Sequence, residues 1–329
     1  MIVPPELAAL PAFRTADARA VGLTDRDLAT ASTAREIWQV RRGWWSARAP
    51  KWPTERHLVR TYAEAADRPY AVPSHWSGAV VAGVPVHQPQ LQRVHLRRID
   101  RGRAQTRRHL TLHLGVEGAP VRELALPGSL PREMFALGAL GMVVADLARV
   151  AVELTQMCPV SGLMTCDWLL HRGVLTMADL EGWEERLRGE QGAYQVWPVM
   201  RLVDGLRESP GESWAAWVCH ALGYRLESQV QVVTLSGVRR LDLALEGEWV
   251  ALEYDGQGKY AEGDDEDGVN SVLLAEKERE DDVRDEEWEV VRLTKRRLAR
   301  PWEVQQRIEK ARRRARIRHG TARRPPRGG

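Results

Sequence analysis

The chain has 329 residues, 43% of them hydrophobic, which is too apolar for wholesale disorder and too long for one small domain. A formal net charge of only +3, from 48 Lys and Arg against 45 Asp and Glu, excludes a uniformly polyanionic or polycationic protein. The charge is segregated instead: residues 262–267 are almost wholly acidic, and residues 312–327 contain no acid at all.

The first elements read as a helical pair. Phe13-Arg14-Thr15-Ala16-Asp17 opens a helix with Thr15 as the expected N-cap, and Gly22 stops it. Thr24 caps a second helix running to about residue 30. The stretch 37–45 then alternates like a hairpin, with its turn at Gly43. Helix, short glycine turn, helix and a basic hairpin is the order of a winged helix-turn-helix. In that arrangement the second helix faces a DNA groove, and Arg26, Arg41 and Arg42 are the expected DNA contacts. Asp25 and Asp27 on the same helix oppose this, because they repel phosphates. The other reading of residues 1–50 is a small protein-interaction domain with solvated arginines.

Lys51-Trp52-Pro53 reads as a linker to a mixed α/β region over 56–207. Its expected elements are helices over 57–66 and 74–83, strands over 94–99 and 109–114, and helices over 136–154, 166–172, 176–187 and 196–206. His75, His95, His109 and His113 fall on different elements without a shared acidic partner, so they read as polar strand faces or satisfied core histidines. Cys158, Cys166 and Cys219 are odd in number and match no zinc spacing, so buried thiols in a reducing compartment are expected. No apolar run approaches a membrane span, and the opening residues carry no secretory pattern; a cytoplasmic protein is expected.

The region 208–310 carries the chemistry. Ser209-Pro210-Gly211-Glu212 opens a helix, followed by strands over 229–235, 239–245 and 249–254, a helix over 272–286, a strand over 289–293 and a basic helix from 302. Asp242, Glu253 and Asp255 lie at the ends of two adjacent strands, where carboxylates are poor strand formers. Acids held together repel unless a cation relieves them, and Mg²⁺ on oxygen ligands is the usual relief at phosphodiester-cleaving sites. Three plainer readings stand beside this. Asp255-Gly256 is also a turn signal, Glu212 can serve only as a helix cap, and Arg240 could neutralise Glu253. Residues 311–329 read either as a disordered basic tail or as an arm that meets phosphates.

Taken together, Ser209-Pro210-Gly211-Glu212-Ser213, Arg240-Leu241-Asp242-Leu243, Glu253-Tyr254-Asp255-Gly256, Lys259-Tyr260, Glu276-Lys277-Glu278-Arg279 and Trp288-Glu289-Val290-Val291-Arg292 resemble the PD-(D/E)xK nuclease superfamily. The branch they resemble is that of the very-short-patch mismatch repair endonucleases. The first fifty residues resemble the winged-helix domain of AbiEi-type antitoxins of type IV toxin–antitoxin systems. Val144-Ala145-Asp146-Leu147 and Leu170-His171-Arg172-Gly173 are similar to the connecting region of actinobacterial proteins carrying both ends.

The resemblance implies an α+β multidomain chain: a winged helix-turn-helix, a mixed α/β middle and a restriction-endonuclease-like α/β core. It implies Asp242 and Glu253 as ligands of Mg²⁺, with Asp255 as a third ligand or water-orienting base and Glu212 as the helical acid that completes the metal shell. The superfamily's lysine two residues after the second acid is Asp255 here, which leaves Lys259 or Lys277 to offset phosphate charge. Arg279, Arg284 and Arg292 are expected at the DNA backbone or in salt bridges to neighbouring acids. The implied partner is DNA, with no membrane. The competing expectation is a non-enzymatic, antitoxin-like regulator with a cognate toxin and an inactive nuclease fold.

Overall fold

The computed structural model describes residues 3–115, 121–123, 143–189, 192–256, 282–320 and Arg324. Lys259, Lys277, Arg279, the acidic stretch 262–268 and all but the end of the helix expected over 272–286 lie outside the described residues. The chain forms two compact units, one from residues 1–165 and 175–197, the other from 166–174 and 198–329. The two regions expected over 1–50 and 56–207 therefore share the first unit for most of their length.

In the first unit, α1 (Pro5–Ala8), β1 (Phe13–Arg14), α2 (Thr15–Ala20), α3 (Asp25–Thr33), β2 (Trp38–Arg41) and β3 (Trp44–Ser46) follow in order. The strands form an antiparallel sheet ordered β1-β3-β2. Phe13, Ala18, Leu28 and Ile37 close its core, which buries the apolar face of both helices. Thr24 caps α3 reciprocally: its Oγ1 accepts the Asp27 N–H (3.2 Å), and the Asp27 carboxylate accepts the Thr24 N–H (2.8 Å). The N-cap of α2 is Arg14 rather than Thr15. The Asp17 carboxylate accepts the Arg14 N–H, while the Thr15 hydroxyl accepts the Trp45 indole N–H.

Residues 51–53 are not a free linker. Pro53 occupies the first turn of α4 (Pro53–Ala66), where its missing N–H costs nothing, and Glu55 accepts the Lys51 N–H. Val59 and Ala63 of α4 pack on Ala12, Val40 and Trp44, so the N-terminal sheet shares a core with the next helix.

Beyond it come β4 (Ala71–Pro73), α5 (His75–Ala82), β5 (Val94–Arg98), β6 (Gln105–Thr106), β7 (Leu110–His113), β8 (Val121–Glu123) and β9 (Val143–Ala145). β4, β5, β7 and β6 make one mixed sheet, with β5 and β7 parallel. Of the helix expected over 136–154, residues 136–142 lie outside the described residues, and among the rest the helix is α6 (Leu147–Met157). Asp146 caps it through the Ala148 N–H, and the residues just before it form β9. α7 (Pro159–His171) is longer than expected. The segment 176–187 breaks into α8 (Met177–Leu180) and α9 (Trp183–Arg186), and α10 (Val196–Met200) is a short turn of helix.

The second unit contains α11 (Pro210–Ala221), β10 (Leu226–Thr234), β11 (Gly237–Leu245), β12 (Val250–Asp255), β13 (Glu289–Thr294), α12 (Lys295–Leu298) and α13 (Pro301–His319). The strands lie in the order β10-β11-β12-β13, antiparallel up to β12 and parallel between β12 and β13. Leu241, Ala244, Ala251 and Trp288 are among the buried residues of its core. Residues 311–319, expected in a disordered tail, are helical because Ala311 and Ala315 continue the buried stripe of Val304 and Ile308.

Candidate functional site

Strand register brings the predicted acids together. Leu243 pairs with Leu252, so one step along the same register sets Asp242 opposite Glu253. On the other side of β12, Glu253 pairs with Arg292 of β13. On the outer side of β11, Gln229 lies between the pairs Ser228–Leu243 and Val230–Leu241, which puts it level with Asp242. One row across the sheet thus reads Gln229, Asp242, Glu253, Arg292.

The row is locally irregular. Gln229 has a φ of 53°, a left-handed conformation that is costly for a residue with a side chain. The kink delivers its buried amide to Glu212, whose Oε2 accepts the Gln229 Nε2–H (2.9 Å) and the Glu208 N–H (3.0 Å). Asp242 Oδ2 accepts the Tyr254 N–H at 3.0 Å, so a side chain takes the place of a ladder bond.

Glu212 sits in the first turn of α11, whose N-cap is Ser209 (Glu212 N–H to Ser209 Oγ, 3.2 Å). The close approach of α11 to β12 needs Gly211, since a Cβ there would lie 2.0 Å from the Tyr254 ring. Burial, followed by the charge of Asp242, holds the Glu212 carboxyl above its ordinary pKa. Asp255, two residues beyond Glu253 and level with Thr294, shares that face of the sheet at the mouth of β12.

Glu212, Asp242, Glu253 and Asp255 are thereby placed on adjoining elements of one unit. They do not form a closed ligand shell: among the described residues no three His, Cys, Asp or Glu side chains are arranged to hold a metal ion. One physical reason is visible. Glu212 and Asp242 each commit an oxygen to protein N–H donors. As a donor set, however, these hard carboxylate oxygens suit Mg²⁺ in kind.

Arg240 pairs with Glu208 at 2.5 Å. Arg284 is exposed at the described end of the 282–288 segment. Gln229 carries no signal in the sequence, being a mid-strand amide. Arg292, expected at a DNA backbone or in a salt bridge to a neighbouring acid, stands across from Glu253 in the sheet register. A large cleft of about 1310 Å³ in the same unit lies elsewhere, between the 222–227 and 245–249 turns and the end of α13. Of its charged lining, Arg312 pairs with Glu248 and Glu309, and Arg324 with Glu227.

In the first unit, Arg26 of α3 and Arg42 at the turn of the β2–β3 hairpin are exposed. Arg41 is not available to a ligand, contrary to expectation. It turns onto α4, bonding the Ala63 carbonyl and Asp67 and lying 3.4 Å from Glu64, with its guanidinium over the Trp44 ring. The two acids that opposed DNA contact are also occupied: Asp27 in the cap, and Asp25 in a bidentate pair with Arg19 (2.9 and 2.7 Å).

His75, His95 and His113 do share an acid, whereas His109 is exposed. Glu153, fully buried on α6, lies 3.2 Å from His75 Nδ1, 2.7 Å from Arg97 Nε and 2.5 Å from Arg149 Nε. His113 stacks on His75 with ring centroids 3.8 Å apart and bonds His95 ring to ring (3.0 Å). His57 bonds the Ser77 hydroxyl, which accepts the His95 N–H. Burial pushes His95 and His57 down to about 4 and lowers His75 and His113 further, the latter pair aided by neighbouring cationic and imidazole groups. Stacked rings and two guanidiniums surround one buried carboxylate, with imidazoles aligned face to face rather than aimed at a common point.

These features define a mixed α+β protein in which a helix-and-hairpin unit precedes an acid-bearing sheet. No protein-family model and no curated protein matches the chain. Among solved structures it is similar to one described as the crystal structure of RV2827C protein from Mycobacterium tuberculosis. That likeness has 15% identity and a TM-score of 0.36, over 62% of this chain and 75% of that one. A likeness of that extent leaves fold and function to be argued from the chain itself.

Proposed function

We propose that the chain is a DNA-binding protein whose second unit is an endonuclease-like domain that cleaves phosphodiester bonds with Mg²⁺. The observation that carries this reading is the row Asp242–Glu253–Arg292 with Glu212 above it, an acid-rich group beside a cation on a strained strand. Asp242 and Glu253 would hold the ion, with Glu212 and Asp255 beside them. Bound there, Mg²⁺ would lower the pKa of a water and stabilise charge on the phosphate. The chain's own part is to position the scissile phosphate and to balance its charge. Arg292, level with Glu253, is placed to do the latter in the absence of a lysine at 255. Lys259 and Lys277 remain candidates for the same role.

In the first unit the order of α1, β1, α2, α3 and the β2–β3 hairpin supports a winged helix-turn-helix, with Arg26 and Arg42 as its DNA contacts. The test is cleavage of plasmid DNA in Mg²⁺ or Mn²⁺ by the full chain and by Asp242→Asn. Metal-dependent cutting that vanishes in the variant is expected; cutting that survives it would remove Asp242 from the site.

A second reading is a non-enzymatic, antitoxin-like regulator of a type IV toxin–antitoxin system, acting with a cognate toxin. It is favoured by the acid at position 255 and by the absence, among the described residues, of a converged ligand set. Sequence-selective promoter binding with no cutting under any divalent ion would establish it over the nuclease.

A further inference from the structure

We infer that the outward face of α13 is a second DNA-docking surface, one that seats in the major groove of B-form duplex DNA. The inference rests on reading the chain as DNA-directed, and it places an additional contact where neither the winged helix nor the acidic row lies.

α13 buries Val304, Ile308, Ala311 and Ala315 along one side. The cations on its flanks that reach the protein are neutralised: Arg312 by Glu248 and Glu309, and Arg314 and Arg318 by Glu289 at 3.6 and 3.2 Å. Both acids of the helix are consumed as well, Glu303 by Arg300 and Glu309 by Tyr224 and Arg312. What remains is Arg307, Lys310, Arg313 and Arg316, all exposed and none in an ion pair with a described residue.

Their spacing is regular. Steps of three residues turn each cation back by about 60°, so the four fan over about 180° of the exposed side along roughly 14 Å of axis. Like charges three residues apart repel on a helix surface; Glu303 lies near Arg307 and Glu309 near Arg316, but no described acid makes an ion pair with any of the four. A fan with cations on both flanks matches the phosphates on the two walls of a groove. Gln306, Lys310 and Arg313 occupy the middle, where base edges would lie.

The major groove of B-DNA admits an α-helix, whereas that of A-form RNA is too deep and narrow. An anionic lipid surface fits less well. The exposed apolar residues, Trp302 and Ile317, stand near the two ends of the helix with the cations between them, so there is no continuous apolar face to insert.

The test uses the full chain and a labelled random-sequence duplex DNA over a salt titration. A variant combining Arg307→Gln, Lys310→Gln, Arg313→Gln and Arg316→Gln is expected to flatten the log–log salt slope by about 3 and weaken low-salt binding by roughly 100-fold. Its thermal midpoint should hold or rise, because removing the repulsion costs no packing. Lys310→Glu with Arg313→Glu serves as a second variant should the first fail to fold, and is expected to weaken binding similarly.

Duplex binding that keeps its affinity and slope in these variants would overturn the inference while leaving the proposed function standing. Equal affinity for an RNA duplex of the same sequence would overturn the groove assignment. Binding to phosphatidylglycerol vesicles without binding to DNA, or no DNA binding by the unaltered chain at any salt, would sink both readings.

Discussion

Two clusters of ionisable side chains sit in the two units of this protein, and they are built on opposite principles. Around Glu153, one carboxylate meets two guanidiniums and a set of neutral imidazoles, all buried. Around Asp242, three further carboxylates share the neighbourhood of one guanidinium, on a strand kinked at Gln229. The first cluster gathers two guanidiniums onto one carboxylate inside the fold. The second gathers four carboxylates near one guanidinium. Composition alone would not separate them, since both mix acids with bases; the count of counter-charges within reach does.

The largest effect that would sharpen this contrast is expected from Glu153→Ala. It removes the carboxylate that Arg97 and Arg149 share in the core, a loss of about 3–5 kcal/mol in urea unfolding. A cost under about 1 kcal/mol would show that the first cluster is no more structural than the second.

Next comes pH. His57 and His95 titrate at about 4 in the folded chain against an ordinary 6.5, because burial disfavours the charged form. The unfolded chain therefore takes up protons first, so stability is complete above pH 6.5 and falls as pH drops from 6.5 towards 4. Each histidine accounts for on the order of 3 kcal/mol across that window. Unfolding free energies that stay level between pH 7 and pH 5 would contradict this.

The smallest effect, and the one of opposite sign, is expected from Asp242→Asn. The amide oxygen can still accept the Tyr254 N–H, and the like-charge contact across β11 and β12 disappears. Stability at pH 7 should hold or rise by less than about 1 kcal/mol. A marked loss would mean that Asp242 is a fold-bearing acid like Glu153.

Much of the second unit was legible beforehand. Ser209-Pro210 announces α11, the alternating runs announce β10 to β12, and the acids at 242 and 253 stand out because strands disfavour them. The Thr24 cap and the Gly43 turn were equally plain. The histidine cluster was not, since Glu153 lies 40 or more residues from His75, His95 and His113, and no local pattern links them. Arg41 was misjudged for a related reason. Its partners Glu64 and Asp67 belong to the next helix, which the linker-like 51–53 stretch seemed to set apart. The helical end of α13 was hidden by its arginines, which obscure a buried stripe of only four small or branched residues.

Periodicity, caps and turn residues are interactions between near neighbours along the chain, and they sufficed to lay down the helices, the hairpins and the carboxylate-bearing strands. Which charges would be neutralised depends on distances between residues far apart in sequence. Only packing and strand register decided that Glu153 would be enclosed by arginines and that Glu253 would stand between Asp242 and Arg292.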